Sequence, residues 1–275
     1  MKKILLYIAL FTMCFSAAAQ NKDLVIIHMN DTHSHLEPER KGSLRDHGGI
    51  VERAAYIDSV RNEVGKKNVL LLHAGDWNQG TSYYTKFKGF LEVELLNTIK
   101  YDAICLGNHE FDNGIEDLAA RVRKIKSPVL CANYDFSGSP LEKVIKPYTI
   151  VRKAGMKIGI FGLITDLSKV VSSEVGANLK KLDYVEVANR MARYLKEEKN
   201  CDMVIALTHI GYNNDKFSSD VLLAGSTRNI DIIVGGHSHT FLEEIKFVEN
   251  LDGKQIPIVQ NGCWGLNYAE LRVSR

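Results

Sequence analysis

The octapeptide VLLLHAGD (Val69–Asp76) sets a run of large aliphatic residues against an abrupt polar ending. Aliphatics without polar alternation are how a strand covered on both faces reads. The same design recurs along the chain. LVIIHM (Leu24–Met29) runs into Asn30-Asp31-Thr32-His33, and AICL (Ala103–Leu106) runs into Gly107-Asn108-His109-Glu110. MVIAL (Met203–Leu207) runs into Thr208-His209, and IIV (Ile232–Val234) into Gly235-Gly236-His237-Ser238-His239. Five strand ends each deliver a residue type that binds metals. In open α/β sheets the loops beyond the carboxyl ends of the strands converge on one crevice, so the five clusters are expected to meet. Gly107 and the Gly235-Gly236 pair permit the tight turns that would aim them.

Around these runs the pattern predicts further strands at Val129–Ala132, Ile158–Ile164, Ile256–Gln260 and Tyr268–Val273. Ile50, Ala54, Ile57 and Val64 recur near helical spacing, as do Val185, Ala188, Met191, Ala192 and Leu195. Strands alternating with amphipathic segments predict an α/β fold with helices covering the sheet. The segment Asp135–Pro147, with Gly138 and Pro140, reads as a surface excursion.

The amino terminus has the anatomy of a cleavable signal peptide over residues 1–19: Lys2 and Lys3, an apolar stretch from Ile4 to Phe15, and the small residues Ser16–Ala19. This predicts a periplasmic or secreted protein with one catalytic domain at 20–275. A lipoprotein anchor at Cys14 fits less well, because Met13 is larger than such a processing site takes. No other run is long enough to span a membrane. Without Lys2 and Lys3 the 35 basic residues fall to 33, equal to the 33 acidic ones, so nothing in the charge favours nucleic acid or a membrane surface as a partner. Cys105, Cys131, Cys201 and Cys263 lack the close paired spacing of a structural zinc site and are expected to be buried free thiols.

Carboxylate, imidazole and amide oxygen together suit divalent zinc, manganese, iron or cobalt. Asp31, His33, Asp76, Asn108, His209, His237 and His239 are the candidate ligands. With two carboxylates among them, two dications keep a net charge of about +2, which matches a phosphate dianion. An aspartate such as Asp76 can bridge ions about 3.5–4 Å apart, the spacing that clamps the attacking and leaving oxygens of an in-line displacement. His28 and His73 lie inside strands and read as core histidines, whereas His35 could reach a phosphate or cap a loop. Glu110 reads as a support for the ligands, and Trp77 as a packing residue.

The successive motifs NDTH (30–33), GDWNQGT (75–81), GNHEFD (107–112), LTHIG (207–211) and GGHSH (235–239) resemble those of the calcineurin-like metallophosphoesterases. Their order and flanks are similar to the amino-terminal catalytic domain of secreted bacterial 5′-nucleotidases, from about Leu24 to Leu271. The resemblance implies a metallophosphoesterase fold, a two-sheet sandwich flanked by helices in four α/β/β/α layers. It implies one ion on Asp31, His33, Asp76 and His239, and a second on Asp76, Asn108, His209 and His237. It further implies that Asn108 and His109 meet the substrate, with His109 stabilising the transition state and Asp112 orienting it. The expected activity is 5′-nucleotidase-like hydrolysis of a small phosphate ester by a hydroxide held between the metals. That family's carboxy-terminal substrate domain is absent before Arg275, so the expectation is either an open site or a separately encoded partner domain. Rival readings are a phosphodiesterase acting on nucleotide sugars or cyclic nucleotides, a sulfate-ester hydrolase, and, in another class, a non-catalytic metal-binding surface protein.

Overall fold

A computed structural model describes residues 23–172, 179–213 and 218–274. The expected signal peptide and Cys14 lie outside the described residues. The first sheet holds β1 (Leu24–Met29), β2 (Val69–His73), β3 (Ala103–Cys105), β4 (Val129–Leu130) and β13 (Ala269–Val273), in the order β13-β1-β2-β3-β4. Only β13 runs antiparallel to its neighbour. The second sheet has the order β11-β12-β10-β9-β7-β6, with β6 at Tyr148–Lys153, β7 at Met156–Ile164, β9 at Met203–His209, β10 at Ile232–Val234, β11 at Lys246–Glu249 and β12 at Gln255–Val259. Its four inner strands are parallel, and β6 and β11 are antiparallel edges. A small ribbon joins β5 (Tyr134–Asp135) to β8 (Lys180–Lys181).

Side chains alternate across each strand, and this sorts the core into three layers. Leu24, Ile26, Leu70 and Leu72 face Ile158, Ile160, Ile205 and Leu207 between the two sheets. Val25, Ile27, Val69 and Leu71 turn the other way, under α1 (Ile50–Val64) and α3 (Phe90–Ile99). On the far side, Phe161, Val204, Ala206 and Ile233 pack beneath α5 (Tyr184–Arg193) and α6 (Asp220–Gly225). The result is the four-layer α/β/β/α sandwich. Because both faces of both sheets are buried, the inner strands have to be aliphatic throughout, which is why they were readable.

The sequence reading missed β5, β6, β8 and β11. β6 and β11 are edge strands, β6 partly covered along its length and β11 largely exposed, so neither shows an unbroken apolar run. The hairpin between β6 and β7 turns on Ala154 (φ 49°) and Gly155 (φ 75°), both in the left-handed region that a two-residue hairpin needs. The segment Asp135–Pro147 is not simply superficial. Phe136, Leu141 and Ile145 plug the core between the sheets and anchor it there.

Candidate metal centre

The carboxyl ends of β1, β2 and β3 in the first sheet and of β9 and β10 in the second meet along one edge of the sandwich. Asp31 follows β1 by two residues, Asp76 follows β2 by three, and His209 is the last residue of β9. Two groups of ligand-type side chains result: Asp31, His33 and His239, and Asp76, His209 and His237, each with its ligand atoms within 4.8 Å of one another. The groups touch. His33 Nε2 lies 3.8 Å from both Asp31 Oδ1 and Asp76 Oδ2, and His209 Nε2 lies 3.8 Å from Asp31 Oδ1 and 3.0 Å from Asp76 Oδ2.

Each carboxylate is divided between two tasks. Asp31 Oδ2 accepts from the Asn30 side-chain amide (2.7 Å) and the His237 backbone N–H (2.9 Å), leaving Oδ1 toward His239 at 3.3 Å. Asp76 Oδ1 accepts from the His109 backbone N–H at 2.9 Å, leaving Oδ2 toward the histidines. His209 donates Nδ1–H to the Ala74 carbonyl at 2.7 Å, so its Nε2 faces the Asp76 carboxylate at 3.0 Å, as an N–H when the ring is charged and as a lone pair when it is neutral. Asn108 Oδ1 is buried without a hydrogen-bond partner. Acceptors converging on acceptors repel unless a cation sits among them. The donor set is oxygen and nitrogen without thiolate, which fits hard to borderline divalent ions.

The charge pattern agrees. Burial opposes the imidazolium of His209, yet Asp76 and Asp31 outweigh it and lift its pKa to about 10. The hydrogen bond to Asp31, joined by contact with the Cys263 thiol, lifts His239 to about 10. Two carboxylates thus create a field that holds positive charge at this point. His28 and His73 stay neutral, pushed by burial to about 4 and about 3.

Local backbone strain marks the same residues. Asp31 (φ 49°), His33 (46°), Asp76 (53°), His237 (80°) and His239 (51°) all occupy the left-handed region, at a cost on the order of 1 kcal/mol or more each for side chains with a Cβ. Tight glycines make the turns possible. A Cβ on Gly107 would stand 2.2 Å from Asp76 Oδ1, and one on Gly236 would stand 2.6 Å from the Ala74 carbonyl oxygen.

Beside these ligand-type side chains, His109 Nδ1 lies 2.9 Å from Asp112 Oδ2, and its ring meets that of His33 at 5.3 Å. Burial works against the charged ring, but the Asp112 hydrogen bond and the charges of Asp76, Asp112 and Glu110 prevail, so its pKa is raised. Phe111, the next residue but one, is fully buried in the core between the sheets and pins this turn. Both rings of the His109 turn's environment are therefore fixed from below.

Glu110 is wholly buried and gathers backbone N–H groups from two ligand loops: Gly107 at 2.6 Å, Asp76 at 2.9 Å and Trp77 at 3.0 Å. Burial raises its pKa to about 7. Glu110→Gln must turn an N–H₂ toward those donors, and the orphaned amides are expected to cost about 1–3 kcal/mol of stability, read from urea unfolding. An unchanged midpoint would show that the loops do not depend on this carboxylate.

Several supports escaped sequence reasoning. Gln260 just beyond β12 accepts from the Thr240 backbone N–H (2.6 Å) and the Ser238 hydroxyl (2.9 Å) and donates to the Gly236 carbonyl (3.0 Å), holding the histidine loop. It stands at a sixth strand end, a signal that was available. Arg121 on α4 (Gly114–Val122) is fully buried and donates to Asn78 Oδ1 and the Glu110 carbonyl, and nothing in its sequence context marks it. His35 stacks on Trp264 at 4.6 Å and faces Glu39 at 3.4 Å, so it serves the loop. His47 is exposed. Among the described residues Cys105, Cys131, Cys201 and Cys263 are buried and free, and Trp77 packs in the helix-side core.

Six ligand-type side chains in two adjoining groups, beside a histidine–aspartate pair on an α/β/β/α sandwich, are the arrangement expected of a dinuclear metallohydrolase. Residues 24–241 match the calcineurin-like phosphoesterases, and the chain belongs to that family. A snake venom 5′-nucleotidase of Crotalus adamanteus is 35% identical over 285 residues, covering 96% of this chain and 47% of that protein. Among solved structures, a 5′-nucleotidase precursor of Thermus thermophilus is 32% identical with a TM-score of 0.80, covering 91% of this chain and 54% of that one. The NAD nucleotidase of Haemophilus influenzae is 30% identical with a TM-score of 0.79, covering 91% and 47%. The chain spans about half the length of these relatives.

Proposed function

We propose that the chain is a dimetal phosphomonoesterase acting on nucleoside 5′-phosphates. The observation that carries the reading is the pair of ligand groups whose free lone pairs converge beside His109 and Asp112. Asp31, His33, Asp76 and His239 would hold one ion, and Asp76, Asn108, His209 and His237 the other, with zinc, manganese, iron and cobalt all suited to the donors. Such a pair supplies Lewis-acid polarisation of phosphoryl oxygens and acidifies water. The protein's own residues do the rest. Asp76 Oδ1, tied to the His109 backbone, fixes the distance between the ligand cluster and the His109 ring. Asp112 holds His109 Nδ1, so that Nε2 presents a proton to the phosphoryl or leaving oxygen as charge builds there. Asn108, the residue before, offers its amide to the same oxygens.

The leader at residues 1–19 supports export to the periplasm or beyond, and among the described residues no helix is long and apolar enough to cross a membrane. The test is ester hydrolysis by the purified chain, followed by chromatography of the products, after chelation and reloading with each of the four metals. The panel is AMP, ribose 5-phosphate, a cyclic nucleotide, a nucleotide sugar and a sulfate ester. Metal-restored turnover is expected with AMP. Inactivity on every ester with every metal would overturn the assignment, and preference for a diester or sulfate would move it to that substrate class.

A further inference from the structure

A cavity of about 20 Å³ lies directly beneath the first two ligand loops, on the helix side of the first sheet. Its lining includes Thr32, Arg53, His73, Trp77, Glu92 and Tyr101. Four of these are almost completely buried, at 3% exposure for Arg53 and Glu92, 2% for Trp77 and 1% for His73. Each also carries a buried polar atom without a hydrogen-bond partner: Arg53 Nε, both carboxylate oxygens of Glu92, Trp77 Nε1 and His73 Nδ1. Orphaned polar atoms are rare in folded proteins, and here five share one hollow.

We infer that this cavity is a binding site for one ordered water molecule, and that Glu92, acting through that water, is a positioning residue for the metal centre. The volume is right, since one water needs about 10–15 Å³. The chemistry selects a neutral ligand. The Trp77 and Arg53 N–H groups would repel a cation, and Glu92 would repel an anion. A water accepts from the two N–H donors and donates to one Glu92 oxygen and to His73 Nδ1, so that a single tetrahedral molecule serves four of the five orphaned atoms. Buried waters of this kind, held by three or four polar partners, are part of the fold.

The connection to the site is short. Trp77 follows the bridging candidate Asp76 in the chain. Thr32 sits between Asp31 and His33, and its hydroxyl lies 3.1 Å from His73 Nε2 and 3.5 Å from the Trp77 carbonyl oxygen. Arg53 also donates to the His35 carbonyl at 3.3 Å. The hollow therefore ties α1 and α3 to both loops that carry the aspartates, and its polar groups set where Asp31 and Asp76 stand. The second half of the inference rests on the proposed metal site; the first does not.

The chain has two tryptophans, so ¹⁵N-tryptophan labelling gives two indole signals, assigned with Trp264→Phe. The Trp77 signal in the metal-free wild type is expected to show rotating-frame cross-relaxation to a long-lived water, and its absence would overturn the water site. Mn²⁺ titration of the full chain reads the positioning role. Glu92→Leu is expected to lose the water signal and to bind Mn²⁺ about tenfold more weakly, in the range seen when a ligand's outer support is removed, with Glu92→Gln restoring it. Because Glu92→Leu leaves Arg53 buried and unpaired, the double variant Arg53→Met with Glu92→Leu carries the same test without a stranded charge. Wild-type Mn²⁺ affinity in a folded variant lacking Glu92 would overturn the positioning role. Failure of the wild type itself to bind Mn²⁺ would count against the metal site, while the water signal still decides the cavity.

Discussion

Asp76→Asn is expected to lower phosphate release by roughly 10³-fold or more, because the change removes the charge proposed to bridge the two halves of the centre. The shape hardly alters. An asparagine keeps an oxygen to accept the His109 backbone N–H, as Asp76 Oδ1 does at 2.9 Å. What changes is the other arm, where Oδ2 lies 3.0 Å from His209 Nε2 and 3.8 Å from His33 Nε2. An amide there presents N–H or a neutral oxygen to two imidazoles instead of a charge. Elemental analysis is expected to find two metal equivalents in the wild type and at least one fewer, or one in rapid exchange, in the variant. The fold itself should tolerate the swap, since a buried carboxylate without its counter-ion is itself costly. A variant that retained both equivalents and wild-type turnover would remove Asp76 from the bridging position.

Asp76 was visible as a candidate in advance because doubly covered parallel strands must be aliphatic, so each polar residue at a strand end stood out against its run. β1, β2, β9 and β10 were legible for this reason, and so were the loops after them. Helix α1 was legible from the spacing of Ile50, Ile57 and Val64. The edge strands β6 and β11 were not, because β6 is only partly covered and β11 largely exposed, so their mixed polar and apolar residues resemble loop sequence. Three-dimensional supports were hidden for a different reason. Arg121 reaches the ligand loops from a helix nine residues past Asp112, and its neighbours there look like any amphipathic face. The left-handed backbone at Asp31, His33 and Asp76 leaves no mark either, since nothing in the identity of an aspartate or histidine announces a positive φ. Such strain persists only where surrounding bonds over-determine the loop, and here Gly75, Gly107, Gly236, Glu110 and Gln260 supply those constraints.

His109→Ala separates chemistry from metal holding, and it is expected to cut turnover by about 10²–10⁴ while leaving metal content unchanged. The side chain is not among the ligand groups; its ring is held 5.3 Å from that of His33 and bonded to Asp112. Its loss therefore removes a proton donor without removing a ligand. The pH profile supplies an independent reading. Burial alone would depress the imidazolium, but the Asp112 hydrogen bond leads the groups that raise its pKa above the ordinary 6.5. The protonated ring therefore persists to higher pH than a free histidine would, and the alkaline limb of kcat/KM should reflect its loss. Asp112→Asn takes away the leading stabiliser, so that limb is expected to move to lower pH. The same sign governs stability: the pair's contribution is complete below the unfolded pKa and fades as pH rises through the folded one. If His109→Ala instead lost metal together with activity, the residue would belong to the ligand set. If it kept full turnover, the leaving oxygen would have to be protonated from elsewhere, and the pairing with Asp112 would be structural.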